Sequence, residues 1–307
     1  MDINAVAANQ APQRGSINLD HVAHFVPDSD AASAALEQLG FTLTPFSAQS
    51  HRLQPQGPLV PAGTGNRCVM FEAGYLEFLT PTGATPVADQ LRTAIRRYIG
   101  VHLIAFGTAA PEIDHARLAH EGFQPMTPVA LQRPISTETG ENTARFTVVR
   151  VPPGTMPEGR IQFCRHHTPE LVWQERWITH ANGARGLAAV LLCVENADEA
   201  AWRYSRFSGR PYTSEGGAHH IATARGSLSF VEPVALKRTL GLTPPALPWI
   251  AGYALETHDV AATREYMRRS GNGGADFARD HVLVTLPEAL GGVVIFQQPG
   301  CGMLRFD

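Results

Sequence analysis

The 307-residue sequence predicts an α+β fold made of four units of one plan, each a strand, a helix and about three further strands. Three observations carry this reading. Four strand-like runs each lead into a stretch of helical spacing that stops at a glycine. The spacing is nearly constant: counted from His21, His102, Ala189 and Gly252, the stops Gly40, Gly122, Gly209 and Gly271 lie 19, 20, 20 and 19 residues on. Glycine suits such stops because the left-handed position after a helix carries no steric penalty there. The composition, 44% hydrophobic and 17% charged, is that of a folded globular chain.

In order, residues 1–16 read as a flexible polar tail without the basic and apolar regions of a signal peptide. Ile17–Pro27 is the first strand, Asp28–Leu39 the first helix, and Cys68–Phe71 and Tyr75–Thr80 are later strands around the turn Glu72-Ala73-Gly74. The proline-rich Gln49–Pro61 stretch, with His51 and Arg52, is read as a loop, either a lid or a tolerated insertion. Tyr98–Gly107, Leu187–Val194 and Ile250–Thr257 open the other units, and Pro111–Glu121, Ala197–Ser208 and Val260–Ser270 are their helices. Residues 17–173 and 187–307 form two double-unit domains joined by a linker over 174–186, and within the wider Arg165–Gly186 stretch Trp173, Trp177 and His180 are most simply packed or solvated side chains.

Several function classes lose their support at this level. Net charge is −3, so no sequence-wide basic field for nucleic acid exists, and no apolar run is long enough to span a membrane. Lys237 is the single lysine, which leaves one candidate amine for Schiff-base chemistry and no phosphate-binding loop. The H-E-x-x-H, G-x-S-x-G and G-x-G-x-x-G motifs are absent. Cys68, Cys164, Cys193 and Cys301 are far apart, and without a secretion signal they read as reduced thiols of a cytoplasmic protein.

Four βαβββ units resemble the vicinal oxygen chelate superfamily, and specifically its glyoxalase-like domain proteins. The residues that carry the resemblance are Leu19-Asp20-His21-Val22 with Pro27-Asp28, Leu39-Gly40-Phe41, Gly63-Thr64-Gly65-Asn66 and Tyr75-Leu76-Glu77-Phe78-Leu79, and it extends from Ile17 to Pro299. The resemblance implies that units pair, that their strands curl into two half-barrel cups with helices outside, and that a metal sits in a cup. It places ligands on the first and fourth strands of paired units. Here those positions read His21 and Glu77, then His102 and Gln162. Two imidazoles and a carboxylate suit a divalent Fe, Mn, Zn, Co or Ni ion with open positions.

Strand alternation puts Leu19, His21, Ala23 and Phe25 on one face and Val22, His24 and Val26 on the other, so His24 is read as a packed histidine. Glu77 in an apolar strand needs a partner, a metal or Arg67. Gln162 stands where related enzymes carry a glutamate ligand and base, and an amide cannot accept a proton at neutral pH. His166, four residues on and on the same strand face, is the candidate catalytic base. His219 and His220, as strand neighbours, point opposite ways and form no chelating pair.

The equivalent positions of the second half, Ala189, Ser229, Gly252 and a residue near Ile295, offer no good ligand, so that half is expected to be metal-free and to cover the site, pack against it or support a homodimer. The resemblance thus implies a metal-dependent lyase, isomerase or ring-cleaving dioxygenase acting on a small oxygen-rich molecule. The alternative is a non-catalytic small-molecule binding protein of the same fold.

Overall fold

The computed structural model describes residues 2–52, 58–272, 275–278, 280–301 and 304–306. A short helix α1 (Ile3–Ala8) precedes the first module: β1 (Ile17–Phe25), α2 (Ser29–Gln38), β2 (Ser47–Arg52), β3 (Leu59–Met70) and β4 (Tyr75–Pro81). After α3 (Pro86–Arg97) the second comprises β5 (Gly100–Thr108), α4 (Pro111–His120), β6 (Val129–Thr137), β7 (Gly140–Arg150) and β8 (Arg160–His166). A connection containing α5 (Pro169–Val172) leads to the third, β9 (Ala184–Cys193), α6 (Ala197–Ser208), β10 (Tyr212–Glu215), β11 (Ala218–Ala222) and β12 (Ser227–Val231). Then α7 (Pro233–Leu240) leads to the fourth, β13 (Trp249–Thr257), α8 (Val260–Arg269), β14 (Ala275–Ala278), β15 (His281–Thr285) and β16 (Val293–Gln297). The four-unit α+β plan predicted from the sequence is the observed one.

Helix starts follow local chemistry. Asp28, Asn196 and Asp259 each accept hydrogen bonds from the first-turn N–H groups of α2, α6 and α8. In every module the first strand runs parallel to the fourth, β1 with β4, β5 with β8, β9 with β12 and β13 with β16. Modules then pair antiparallel through their first strands, β1 with β5 and β9 with β13. One pairing, Ile250 with Val101, joins the two halves into a continuous sheet.

The helix-bearing faces of both halves share one core, in which Val22, Ile104 and Phe106 meet Val190, Phe230 and Phe296. The opposite faces form separate interiors. That of the second half is apolar, with Leu191, Trp249 and Ile295 closed over by Leu236 and Leu240 of α7 and by Leu304 and Phe306. That of the first half holds Ala23, Phe25, Leu79, Leu103, Ala105, Val148 and Cys164, and Leu91 of α3 closes one end. Neither α3 nor α7 was anticipated, although Leu91, Ala94 and Ile95 have helical spacing behind the cap Thr85 and Pro86.

Strict alternation fails in every first strand. In β1, Leu19 pairs with Phe106 and His21 with Ala105, so Asp20 is an extra, bulged residue. His102 is the extra residue of β5, Ala188 of β9 and Ala251 of β13. Counted from these bulges, the helix-stop glycines Gly40, Gly122, Gly209 and Gly271 lie 20, 20, 21 and 20 residues on. The equivalent of His102 is therefore Asp20, not His21. Leu19 belongs with Val22 in the helix-side core rather than with His21.

A glycine precedes the fourth strand in each module, and a Cβ there would come within 3.2 Å of the bulge carbonyl: Gly74 at Asp20, Gly159 at His102, Gly226 at Ala188 and Gly292 at Ala251. Gly74 also sits at φ +74°. Gly74→Ala is expected to lower stability by more than about 1 kcal/mol, read from urea unfolding.

Two expected loops are structured. The tail read as flexible contains α1, because Val6 and Ala7 bury against Cys68, Met70 and Trp173, and Gln10 bonds the Glu72 carbonyl and the Gly74 N–H. The flanks of the expected lid loop are β2 and β3, and residues 53–57 of that stretch lie outside the described residues.

Two histidines are built into the core. His24 donates from Nδ1 to the Leu290 carbonyl at 2.9 Å and accepts from the Tyr253 hydroxyl at 3.1 Å. His180 accepts from the Thr42 N–H at 3.0 Å and donates to the Met70 carbonyl at 2.8 Å. Burial lowers the pKa of each to about 4 from an ordinary 6.5, against the pull of the carbonyls they bond. Below pH 6.5 the unfolded chain binds protons that these folded sites refuse, so stability falls from about pH 6.5 down to about pH 4. At pH 5 each costs about 2 kcal/mol, and side-chain NMR should find both rings neutral there. Midpoints near 6.5 would contradict this assignment.

Candidate active site in the first cup

The polar centre of the first cup forms around the bulge. Because Asp20 is the extra residue, it and His21 both turn into the cup between the core residues Leu19 and Val22. Asp20 is fully buried, and its Oδ2 accepts from His21 Nδ1 at 2.7 Å and from His166 Nε2 at 3.0 Å. Burial alone would raise the Asp20 pKa. The charge and hydrogen bond of His166, then those of His21, overcome this and hold the carboxyl well below the usual carboxylate range.

Aromatic rings fix both imidazoles. His21 stacks on Tyr75 with centroids 4.3 Å apart. Trp173 at 4.9 Å and Phe146 at 5.1 Å meet the His166 ring edge-on, and Trp173 is itself anchored by its indole N–H to the Phe71 carbonyl. His166 is thus enclosed rather than solvated at a strand end. The Asp20 bond orients the His21 ring through Nδ1, and its Nε2 takes no bond from any described residue.

Cys164 completes the cluster. One ligand atom from each of Asp20, Cys164 and His166 lies within 4.8 Å of the others, the sole group of this kind among the described residues. Asp20 Oδ1 and His166 Nδ1 are buried without a hydrogen-bond partner, which marks unused donor capacity at the same place. Burial, together with the charges of Asp20 and Glu77, pushes the Cys164 thiol well up, so thiolate forms there only against a cation. A carboxylate oxygen, an imidazole nitrogen and a sulfur make a donor set that fits a divalent Zn or Fe ion.

The three ligands implied by the resemblance, His21, Glu77 and His102, are not brought together in such a group. His102 bonds the Tyr98 carbonyl through Nε2 at 2.8 Å, stacks on the Tyr98 ring at 4.0 Å and meets the tilted Phe25 ring at 5.3 Å. Burial lowers its pKa to about 4, with the Tyr98 carbonyl opposing and Arg97 assisting. Glu77 does face the cup, opposite Ala23 and Cys68. Its Oε1 accepts from Asn66 and, at 3.5 Å, from Gln49. The Arg67 partner considered for it bonds the Thr44 carbonyl instead. Gln162 is buried on the same cup face, paired with Ala105 and Arg150.

In the second half His219 bonds Ser214 and His220 bonds Ser229, so both are occupied structurally. Reasoning from the sequence missed Asp20 and Cys164. Asp20, within Ile17–Phe25, is a carboxylate in an apolar strand and needs a partner just as Glu77 does.

A model of the family described as glyoxalase-like domain matches residues 19–207. No curated protein matches the chain. Among solved structures, a hypothetical protein from Staphylococcus aureus aligns with TM-score 0.63 at 10% identity, over 92% of this chain and 99% of its own. A mutant of 4-hydroxymandelate synthase from Streptomyces coelicolor aligns with TM-score 0.57 at 14% identity, over 94% of each chain. A Mn(II)-bound glyoxalase from Novosphingobium aromaticivorans aligns with TM-score 0.54 at 10% identity, over 94% of this chain and 84% of its own. At these identities the likeness is one of fold. No helix among the described residues is long and apolar enough to cross a membrane.

Asp20→Asn puts an amide against two imidazole N–H groups and removes the buried charge. The expected loss is about 3 kcal/mol in urea unfolding at pH 7, and a loss below about 0.5 kcal/mol would show that the two hydrogen bonds contribute little.

Proposed function

The chain belongs to the glyoxalase-like domain family, and we propose that it is a divalent-metal-dependent enzyme whose first cup acts on a small oxygen-rich molecule. The observation that supports this most is the fully buried Asp20, with one oxygen shared by His21 and His166, the other unpartnered, and Cys164 alongside. In this reading Asp20, Cys164 and His166 hold the ion. Once bound, it supplies Lewis acidity toward two neighbouring oxygens of the substrate.

The chain's own residues supply the rest. Asp20, through Oδ2, holds His21 in the tautomer that carries its proton on Nδ1, so Nε2 is the atom that takes a proton from substrate. Tyr75 keeps that ring in place by stacking. Trp173, Phe146 and Tyr75 keep water from His166. Gln162 donates or accepts a hydrogen bond at the cup floor without taking a proton, which leaves His21 and not the fourth-strand residue of β8 as the base. Glu77 stands on the same face as His21, two positions along β4 from its neighbour Tyr75, and is retained as a further ligand candidate. Lyase or isomerase chemistry and ring-cleaving oxygenation are both compatible with this arrangement.

Elemental analysis of protein purified without added metal is expected to find close to one Zn or Fe per chain. Asp20→Ala and His166→Ala should each lose it, whereas His102→Ala should keep it. No stoichiometric metal in wild type, with all variants binding added metal equally, would turn the reading to a non-catalytic binding protein. Oxygen uptake by the Fe(II)-loaded protein over a panel of catechols, set against turnover of 2-oxoaldehyde thiol adducts under nitrogen, separates the oxygenase from the lyase.

A further inference from the structure

We propose that the molecule taken by the first cup carries an oxyanion, a carboxylate or a phosphate, held between the guanidinium groups of Arg150 and Arg160. This deepens the reading of that cup as a substrate site and rests on it.

Both arginines are placed by strand alternation. Val149 and Val151 lie in the helix-side core, so Arg150 projects into the cup, and Ile161 and Phe163 do the same for Arg160. Arg150 stands opposite Gln162 across β7 and β8, and Arg160 lies two residues before Gln162 on the same face. A third arginine, Arg133 of β6, shares the face of Leu131 and Ile135, which pack on the cup interior.

None of the three makes an ion pair among the described residues. Arg150 Nε is buried without a partner. Arg160 donates one bond, to Gln90 of α3 at 3.3 Å, and lies 5.9 Å from the Phe25 ring centre. Burial lowers the pKa of both, and the charge of Arg150 lowers that of Arg160 further while Glu77 opposes.

An arginine does not shed its proton in a protein, so guanidinium groups withdrawn from water require a counter-charge. The carboxylates of the cup are already engaged, Asp20 by His21 and His166 and Glu77 by Asn66 and Gln49. Three arginines against two carboxylates leave a positive surplus. Planar guanidinium groups match the paired oxygens of a carboxylate or phosphate, and such a group would complete the bonding that no protein residue supplies.

The test uses the purified full-length chain and three probes of similar size: benzoate, phenyl phosphate and neutral benzamide. Calorimetric titration should show binding of benzoate or phenyl phosphate and at least about tenfold weaker binding of benzamide; the tighter of the two anions identifies the group. Arg150→Gln and Arg160→Gln should each weaken anion binding about tenfold or more, Arg150→Lys and Arg160→Lys less, with metal content unchanged in all four. Wild type that ignores both anions, or binds benzamide equally well, overturns the proposal, as do folded glutamine variants that bind like wild type. Anion binding that depends on the arginines in protein without metal would sustain this inference while removing the metal-dependent reading.

Discussion

One unpaired residue in β1 sets the geometry of the site. A regular strand would have sent Asp20 into the helix-side core, where a carboxylate has no partner, or would have turned His21 away from the cup. The bulge lets both face inward, and Asp20 then bonds His21 beside it and His166 from a strand end 146 residues away. The same irregularity occurs at the corresponding place of every module. Only in the first half does it present ionisable side chains, Asp20 and His102, where the second half has Ala188 and Ala251.

The bulge is held from outside by the other half. The Leu19 N–H donates to the Arg225 carbonyl at 2.7 Å, and the turn before β12 runs beside Asn18. Gly74 lets the chain pass against the Asp20 carbonyl, and the α1 region holds Gly74 in turn through Gln10. Burial lowers the Arg225 pKa while the Asp20 charge raises it, so the two ions sense each other across the junction of the halves. The second half therefore contributes to the site as a support, although its own cup is filled by Leu191, Trp249, Ile295 and Phe306.

The two interiors diverged in polarity on a common backbone plan. Closing helices α3 and α7 enter at corresponding places after the fourth strand of the first and third modules. In the second half the helix meets apolar side chains. In the first, Leu91 packs with Ala23 and Ala105, which stand beside Glu77 and Gln162 on neighbouring strands.

The sequence by itself determined the four modules, their order and their helix stops, because amphipathic periodicity and glycine caps are local properties. It also singled out His21 and His166, and Gln162 as a residue unable to act as a base. It did not determine register within the first strand, because a bulge leaves no mark in composition and moves every later side chain by one face. That shift made His102 look equivalent to His21 when its counterpart is Asp20, and it set His102 against Tyr98 instead. Cys164 reads from the sequence only as a reduced thiol, and nothing local singles out Arg150 or Arg160. Only tertiary structure decided that these share one sheet face, since their convergence depends on the pairing of β8 with β5 and β7, which joins residues distant in the chain.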